Sequence, residues 1–121
     1  MPRFVVLRHE LPGPQRAPVH WDFMLQEEER LRTWALAEQP DSGLEIAADA
    51  LADHRLMYLY YEGPISDGRG EVERWDSGDY ETVHETADEL IVRLRGRRLN
   101  GVVRLRLPDA GSQRWMFDFS E

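Results

Sequence analysis

Turn-forming residues interrupt this chain at close intervals, which leaves room for many short strands and for very little helix. Glycine and proline, often beside asparagine, aspartate or serine, separate stretches in which apolar and polar residues alternate. Such alternation is typical of half-buried strands. It predicts strands over residues 3–10, 19–26, 30–36, 56–62, 71–75, 79–85, 89–94, 101–107 and 113–119.

The segments between these strands complete the prediction. Residues 11–18 contain three prolines and a glycine and should form a loop, and Asp76-Ser77-Gly78 should form a turn. The alanine-rich residues 46–53 are the best candidate for a short helix. Many short strands with one or two short helices favour a mainly β fold, an antiparallel β-barrel. No repeat or break in composition divides the sequence, so we expect one domain over residues 1–121.

Composition narrows the classes of function. The chain has 121 residues, of which 41% are apolar, and no apolar run approaches the roughly 20 residues of a membrane span. The N-terminal residues lack the apolar stretch of a signal peptide, so we expect a cytoplasmic protein that does not enter a membrane. Because cysteine is absent, a bound metal would need imidazole and oxygen ligands.

A formal net charge of −8 argues against non-specific binding along a nucleic-acid backbone, but it allows a small, focused phosphate site. All 15 basic residues are arginine, a side chain suited to bidentate phosphate contacts. Four of them alternate with apolar residues on two neighbouring predicted strands: Arg93, Arg95, Arg104 and Arg106. This basic face is either a solvated outer face of the sheet or, less favoured, a nucleic-acid surface.

His20-Trp21-Asp22 is the strongest candidate for chemistry. Side chains two residues apart on a strand share a face, so His20 and Asp22 can reach one point, and His9 ends the preceding strand. Two imidazoles and a carboxylate can hold a divalent metal and leave coordination positions open for substrate. A ferrous oxygenase site with His84 or His54 as the distal ligand is the less favoured alternative, because the chain is short and no Arg-x-Ser follows His84.

His54 and Tyr58 form a second candidate pair. They are four residues apart and could line one cleft, although spacing alone equally allows two hydrogen-bonded structural residues. His84 lies in an acidic segment and is expected at the surface.

Seven local patterns, taken in order over residues 3–119, resemble the 3′-phosphoesterase domain of bacterial DNA ligase D. They are Phe4-Val5-Val6-x-x-His9, His20-Trp21-Asp22-Phe23-x-Leu25, Leu31-Arg32-Thr33-Trp34-Ala35, Asp53-His54-x-x-x-Tyr58, Tyr61-Glu62-Gly63-x-Ile65, Gly68-x-Gly70-x-Val72-x-x-Trp75-Asp76-x-Gly78 and Leu94-x-Gly96-x-x-Leu99-x-Gly101.

The resemblance implies a β-barrel that uses a divalent metal, typically manganese, with zinc or another ion as the alternative. It implies removal of a 3′-phosphate or a 3′-terminal ribonucleotide from DNA or RNA primer-template ends, in the company of ligase and polymerase repair proteins. Carried over by position, His9, His20 and Asp22 would be metal ligands. His54 and Tyr58 would be catalytic residues that contact the scissile phosphate.

Three positions depart from the family pattern. A phosphate-binding arginine is replaced by Met24, a glutamine by Leu7, and a glutamate by Ala52. Arg55 or Arg69 could substitute for the lost cation, and Arg8 less well, because strand alternation places Arg8 opposite His9. Two functions follow as expectations: a metal-dependent 3′-end-healing phosphoesterase, or a catalytically weakened barrel that binds metal and phosphate and recognises nucleic-acid ends.

Overall fold

Antiparallel strands account for almost all regular structure in the computed structural model, which describes residues 1–12, 19–41, 43–66 and 68–121. Most of the loop predicted at 11–18 lies outside these residues. The strands are β1 (Arg3–Glu10), β2 (Val19–Glu27), β3 (Arg30–Leu36), β4 (Ile46–Arg55), β5 (Gly63–Pro64), β6 (Glu71–Glu85), β7 (Glu89–Gly96), β8 (Asn100–Arg106) and β9 (Arg114–Ser120). A single 3₁₀ turn over Leu56–Leu59 is the helical element of the described chain.

The sheet closes on itself. Its strand order is β1-β2-β3-β4-β9-β8-β7-β6-β5, and an additional β1–β6 pairing joins the two ends. Eight strands therefore form an antiparallel barrel, and within the described ranges the two-residue β5 pairs with β6 alone. Closure leaves few unpaired strand edges, a common solution for all-β domains. The mainly β barrel expected from the sequence is confirmed.

Alternation along the strands produces two apolar clusters, one on each face of the sheet. The barrel interior holds the larger cluster, whose aromatic members include Phe4, Phe23, Trp34, Trp115 and Phe117. The smaller cluster lies on the outer face of the sheet and consists of Val5, Leu7, Met24, Leu31, Leu59 and Val72. Leu56, Tyr58, Tyr61 and Ile65 pack against this outer cluster, so the segment after β4 covers one side of the barrel.

The helix expected at residues 46–53 is wrong, because this segment is strand β4. Ile46 and Ala48 face the barrel interior and are fully buried, and the strand pairs with β3 on one side and β9 on the other. Alanine is the best helix former, but its advantage over other residues is only about a few tenths of a kcal/mol per residue, and two flanking ladders of hydrogen bonds outweigh it. Across the described ranges, the chain has no helix long and apolar enough to cross a bilayer.

The strand expected at residues 56–62 is also wrong. Leu56 to Leu59 form the 3₁₀ turn, in which the first and last residues lie on one side and pack against the outer cluster. The aromatic residues of this segment suggested a strand, but Tyr58 and Tyr61 pack against the outer cluster from outside the sheet, and Tyr60 is exposed.

The two strands expected at 71–75 and 79–85 are one continuous strand, β6, so the turn expected at Asp76-Ser77-Gly78 is wrong. The Asp76 carboxylate accepts hydrogen bonds from the backbone N–H groups of Arg97, Arg98 and Leu99. Gly78 lies opposite Gly96 of β7, and a Cβ at Gly78 would collide with the backbone carbonyl of Arg95. These residues resemble a turn in sequence but fit close contacts between strands and their connections.

Candidate metal centre

Strands β1 and β2 place His9, His20 and Asp22 on the outer face of the barrel. His9 lies directly opposite His20 in the register, and Leu7 lies opposite Asp22. The intervening Trp21 points toward the interior cluster. The three side chains therefore meet because of strand alternation and register, and both follow from the pleat of an antiparallel pair.

One nitrogen from each histidine and one carboxylate oxygen of Asp22 all lie within 4.8 Å of one another. His9 Nδ1 is 3.1 Å from Asp22 Oδ2, and His20 Nε2 is 3.0 Å from Asp22 Oδ1. The Asp22 side chain is only 3% exposed, and its Oδ1, although close to His20 Nε2, meets no donor in hydrogen-bond geometry among the described residues. A buried carboxylate oxygen without a donor is costly unless a cation compensates it.

The hydrogen bonds of His9 also indicate a positive charge next to the Asp22 carboxylate. His9 Nε2 donates to the backbone carbonyl of Arg69 at 2.9 Å, which leaves Nδ1 facing the Asp22 carboxylate. A neutral imidazole has one N–H, so Nδ1 can contact this carboxylate favourably only when a proton or a metal ion is bound there. The hydrogen bond to Asp22 raises the pKa of His9, against the opposing effect of burial.

Burial by itself raises the pKa of Asp22, but the two neighbouring imidazoles outweigh it and hold the pKa below its ordinary value. The carboxylate is thus ionised at neutral pH and can act as a ligand. Imidazole nitrogen and carboxylate oxygen suit divalent transition metals, so the donor set fits a metal of that class.

The carbonyl of Arg69 comes from a loop that fits tightly against β1. Gly70 has a φ of +93°, and a Cβ there would collide with the backbone carbonyl of Glu10. Arg69 Nε donates to Ser66 O at 2.9 Å within the same loop. Outer hydrogen bonds of this kind orient metal-binding histidines. Sequence reasoning missed this carbonyl, although the Gly68-x-Gly70 spacing was a signal that the backbone comes close to another segment.

A cavity of about 660 Å³ opens beside His9 and Asp22, which line it together with His54 and Tyr58, whereas His20 is not among its lining residues. The His54 and Tyr58 rings are 5.9 Å apart and meet edge to face. His54 Nδ1 donates to the carbonyl of Ala52 at 2.9 Å, which leaves Nε2 without a proton in the neutral ring. Tyr61 extends the aromatic wall, with its ring 5.9 Å from that of Tyr58, and sequence reasoning missed it.

The three positions that depart from the family pattern adjoin this cavity. Leu7 and Met24 are 0% and 1% exposed because the outer cluster covers them, and Ala52 lines the cavity. Of the arginines considered as substitutes, Arg55 and Arg69 line the cavity. Arg8 does not line it and pairs with Glu10, with 3.5 Å between their charged groups.

His84 lies elsewhere. It is exposed on β6, and its Nε2 is 3.5 Å from the Glu89 carboxylate, as expected of a surface histidine. In the described chain, the grouped ligand atoms belong to His9, His20 and Asp22, so neither His84 nor His54 completes the cluster that an oxygenase site would need.

Acidic partners largely neutralise the arginine face of β7 and β8. Arg93 and Arg95 both pair with Glu81, Arg104 pairs with Glu89, and Arg106 pairs with Glu45. The face is a solvated network of ion pairs, and this favours the first of the two interpretations of its alternating arginines.

Fold and site together define a small antiparallel β-barrel with a His-His-Asp group beside an aromatic-walled cavity on its outer face. Residues 13–106 match the model of the DNA Ligase D 3′-phosphoesterase domain, and the chain belongs to this family. The resemblance found in the sequence motifs is therefore confirmed.

Three curated relatives show the extent of the similarity. The multifunctional non-homologous end joining protein LigD of Mycobacterium bovis is 34% identical over 122 residues, which cover 93% of this chain and 15% of the relative. The corresponding DNA repair protein LigD of Mycobacterium tuberculosis gives the same values. LigD of Pseudomonas aeruginosa is 28% identical over 109 residues, 82% of this chain and 12% of its own length. The chain thus spans a small part of each relative.

Proposed function

We propose that this protein is a metal-dependent phosphoesterase that removes a 3′-phosphate or a 3′-terminal ribonucleotide from DNA or RNA ends. The observation that carries the proposal is the convergence of His9, His20 and Asp22 beside the cavity lined by His54 and Tyr58. Family membership supports a role in end healing during non-homologous end joining. As part of the proposal, the protein acts in the cytoplasm beside ligase and polymerase repair proteins.

In this proposal His9, His20 and Asp22 hold a divalent metal, and manganese is our first choice. Such an ion would neutralise phosphate charge and orient or activate a water molecule. Asp22 supplies the anionic ligand, and the Arg69 carbonyl fixes the ring of His9.

His54 acts on the leaving oxygen. Its Nδ1 proton is bound to the Ala52 carbonyl, so a protonated ring presents Nε2–H to the cavity. Water adds to phosphorus, the bond from phosphorus to the 3′ oxygen breaks, and His54 donates its proton to that oxygen to leave a 3′-hydroxyl. The oxygen and protons of the water leave with the released phosphate. The edge-to-face contact with Tyr58 holds the imidazole, and the phenol can donate a hydrogen bond to a phosphate oxygen.

Turnover of a 3′-phosphate primer-template in manganese buffer tests the proposal, with the 3′-hydroxyl product as the readout. We expect His54→Ala to lower the rate by roughly 10²- to 10⁴-fold while manganese binding by calorimetry persists. Asp22→Asn should abolish both turnover and manganese binding, because it removes the anionic ligand. His84→Ala is the matched control and should change neither the rate nor the manganese affinity.

The second candidate is a barrel that binds metal and recognises phosphorylated ends without turnover. The burial of Met24 and Leu7, where the family pattern has polar groups, favours it. The same assay separates the two functions. Metal-loaded protein that binds the 3′-phosphate substrate and releases no product would select the recognition module, and unchanged manganese binding by Asp22→Asn would refute the metal site in both.

A further inference from the structure

Arg55 lies on the cavity wall where strand β4 meets the 3₁₀ turn. It is the last residue of β4 and immediately precedes the 3₁₀ turn, next to His54 in sequence. Arg55 is among the residues that line the same cavity as His9, Asp22 and His54, and it is exposed. A guanidinium at this position can reach a ligand in the cavity without being drawn out of the protein core.

Arg55 and Arg69, the two arginines that line the cavity, differ in the hydrogen bonds and ion pairs of their side chains. Arg69 donates to the carbonyl of Ser66 at 2.9 Å and lies 3.3 Å from its hydroxyl, so its guanidinium stays within its own loop. Arg55 makes neither a side-chain hydrogen bond nor an ion pair with any residue that the structure describes. The neighbouring carboxylate of Asp53 is paired with Arg30 at 3.3 Å.

Most other arginines of the described chain are engaged in ion pairs, as on the β7 and β8 face. In a protein of net charge −8, an unpaired arginine on the wall of a cavity is a local site for an anion. Its planar fork matches two oxygens of a phosphate, and such charge-assisted pairs are stronger than neutral hydrogen bonds.

From these contacts we infer that Arg55 binds the terminal 3′-phosphate of the substrate and thereby sets the preference for phosphorylated over unphosphorylated ends. The inference rests on the proposed function. It assigns to β4 the phosphate contact that the buried Met24 on β2 does not supply.

Equilibrium binding of a labelled primer-template ending in a 3′-phosphate or a 3′-hydroxyl tests this assignment. The measurements use manganese buffer and a His54→Ala background, which slows turnover, and the readout is the ratio of the two Kd values. Loss of a charge-assisted contact should reduce the preference for the phosphate at least tenfold in Arg55→Ala. Arg55→Lys should keep part of it, because the charge remains and the fork is lost.

Arg97→Ala is the matched control. Arg97 is exposed in the β7–β8 turn, outside the cavity, and its removal subtracts the same charge from the protein. It should leave the ratio unchanged. In the turnover assay without the background substitution, Arg55→Ala should raise KM more than it lowers kcat.

The outcomes separate the two proposals. If the unsubstituted protein gives no product but Arg55→Ala still loses the preference, the phosphate contact stands and the enzymatic proposal fails. If product forms and Arg55→Ala retains the full preference, or Arg97→Ala loses as much, the assignment of Arg55 is overturned. No preference in any variant and no product would overturn both.

Discussion

At the scale of single residues, the two buried aspartates, Asp22 and Asp76, have different roles. Asp22 is buried between two imidazoles and its Oδ1 meets no donor in hydrogen-bond geometry, whereas Asp76 is buried with its carboxylate oxygens bonded to backbone N–H groups. Both lie in motifs shared with the family, yet only Asp22 adjoins the cavity. Membership of a motif therefore does not distinguish a ligand from a structural residue, but the partners of the carboxylate do.

Asp76→Ala should lower the free energy of unfolding by about 2–4 kcal/mol, because three backbone N–H groups of the β7–β8 turn lose the buried carboxylate that accepts from them. Urea denaturation measures this loss. Asp109→Ala is the control, since the exposed Asp109 carboxylate accepts one hydrogen bond, from Gly111 N, among the described residues, and its loss should cost less than about 1 kcal/mol. Equal losses in the two variants would contradict a special role for the Asp76 carboxylate.

At the scale of elements, close contacts between segments position the site and the strands. The loop before β6 presents a carbonyl to His9, and Gly96 of β7 packs against the Asp76 carboxylate and the Phe4 ring. Both contacts need a residue without a Cβ. Glycines that suggested flexible turns in the sequence are, at these two positions, places where neighbouring segments touch.

Gly70→Ala should weaken manganese binding by roughly 10- to 100-fold, because the new Cβ would collide with the Glu10 carbonyl and displace the carbonyl that orients His9. Calorimetric titration measures the affinity. Gly68→Ala is matched to it, since Gly68 also has positive φ, at +66°, but a Cβ there meets nothing within 4 Å. An affinity loss of the same size in both variants would point to backbone strain rather than to loss of the outer hydrogen bond.

Gly96→Ala should destabilise the barrel by about 1–3 kcal/mol, because its Cβ would overlap the Phe4 ring and the Asp76 carboxylate in a closely packed region. Thermal unfolding followed by circular dichroism gives the change. Gly111→Ala, whose Cβ would lie 3.9 Å from Asp109 Oδ1, should leave the melting temperature nearly unchanged. A well-tolerated Gly96→Ala would show that this contact can relax.

At the scale of the whole molecule, barrel closure depends on contacts that join distant parts of the chain. The Tyr80 hydroxyl on β6 donates to the carbonyl of Gln26 on β2 at 2.7 Å. Burial, together with the nearby Glu27 carboxylate, raises the pKa of Tyr80 to about 12. The neutral phenol is therefore the form that the closed barrel favours.

Stability should consequently fall as pH rises above about 10, where the unfolded chain loses the Tyr80 proton and the folded barrel keeps it. The loss should be about 1 kcal/mol per pH unit up to about pH 12, measured by urea denaturation at pH 9, 10 and 11. The sequence has no lysine and no cysteine to titrate in this range. Tyr80→Phe should be less stable at pH 9 but nearly flat with pH, and an equal slope in both proteins would exclude Tyr80 as the cause.

The sequence alone was sufficient for the barrel class and for the candidate ligands. Short alternating segments make strands, and the two-residue period of a strand places His20 and Asp22 on one face. These are local properties of the chain. The ordered motifs added the family, because many weak patterns in sequence order are jointly specific.

Tertiary structure decided what depends on neighbours distant in sequence. Residues 46–55 became a strand because β3 and β9 flank them, and Asp76 lies within a strand because the β7–β8 turn donates to it. Only the fold distinguishes the free guanidinium of Arg55 from the engaged one of Arg69. The physical reason is common to all three: hydrogen bonds and packing between segments outweigh local preferences of a few tenths of a kcal/mol per residue, in order of magnitude.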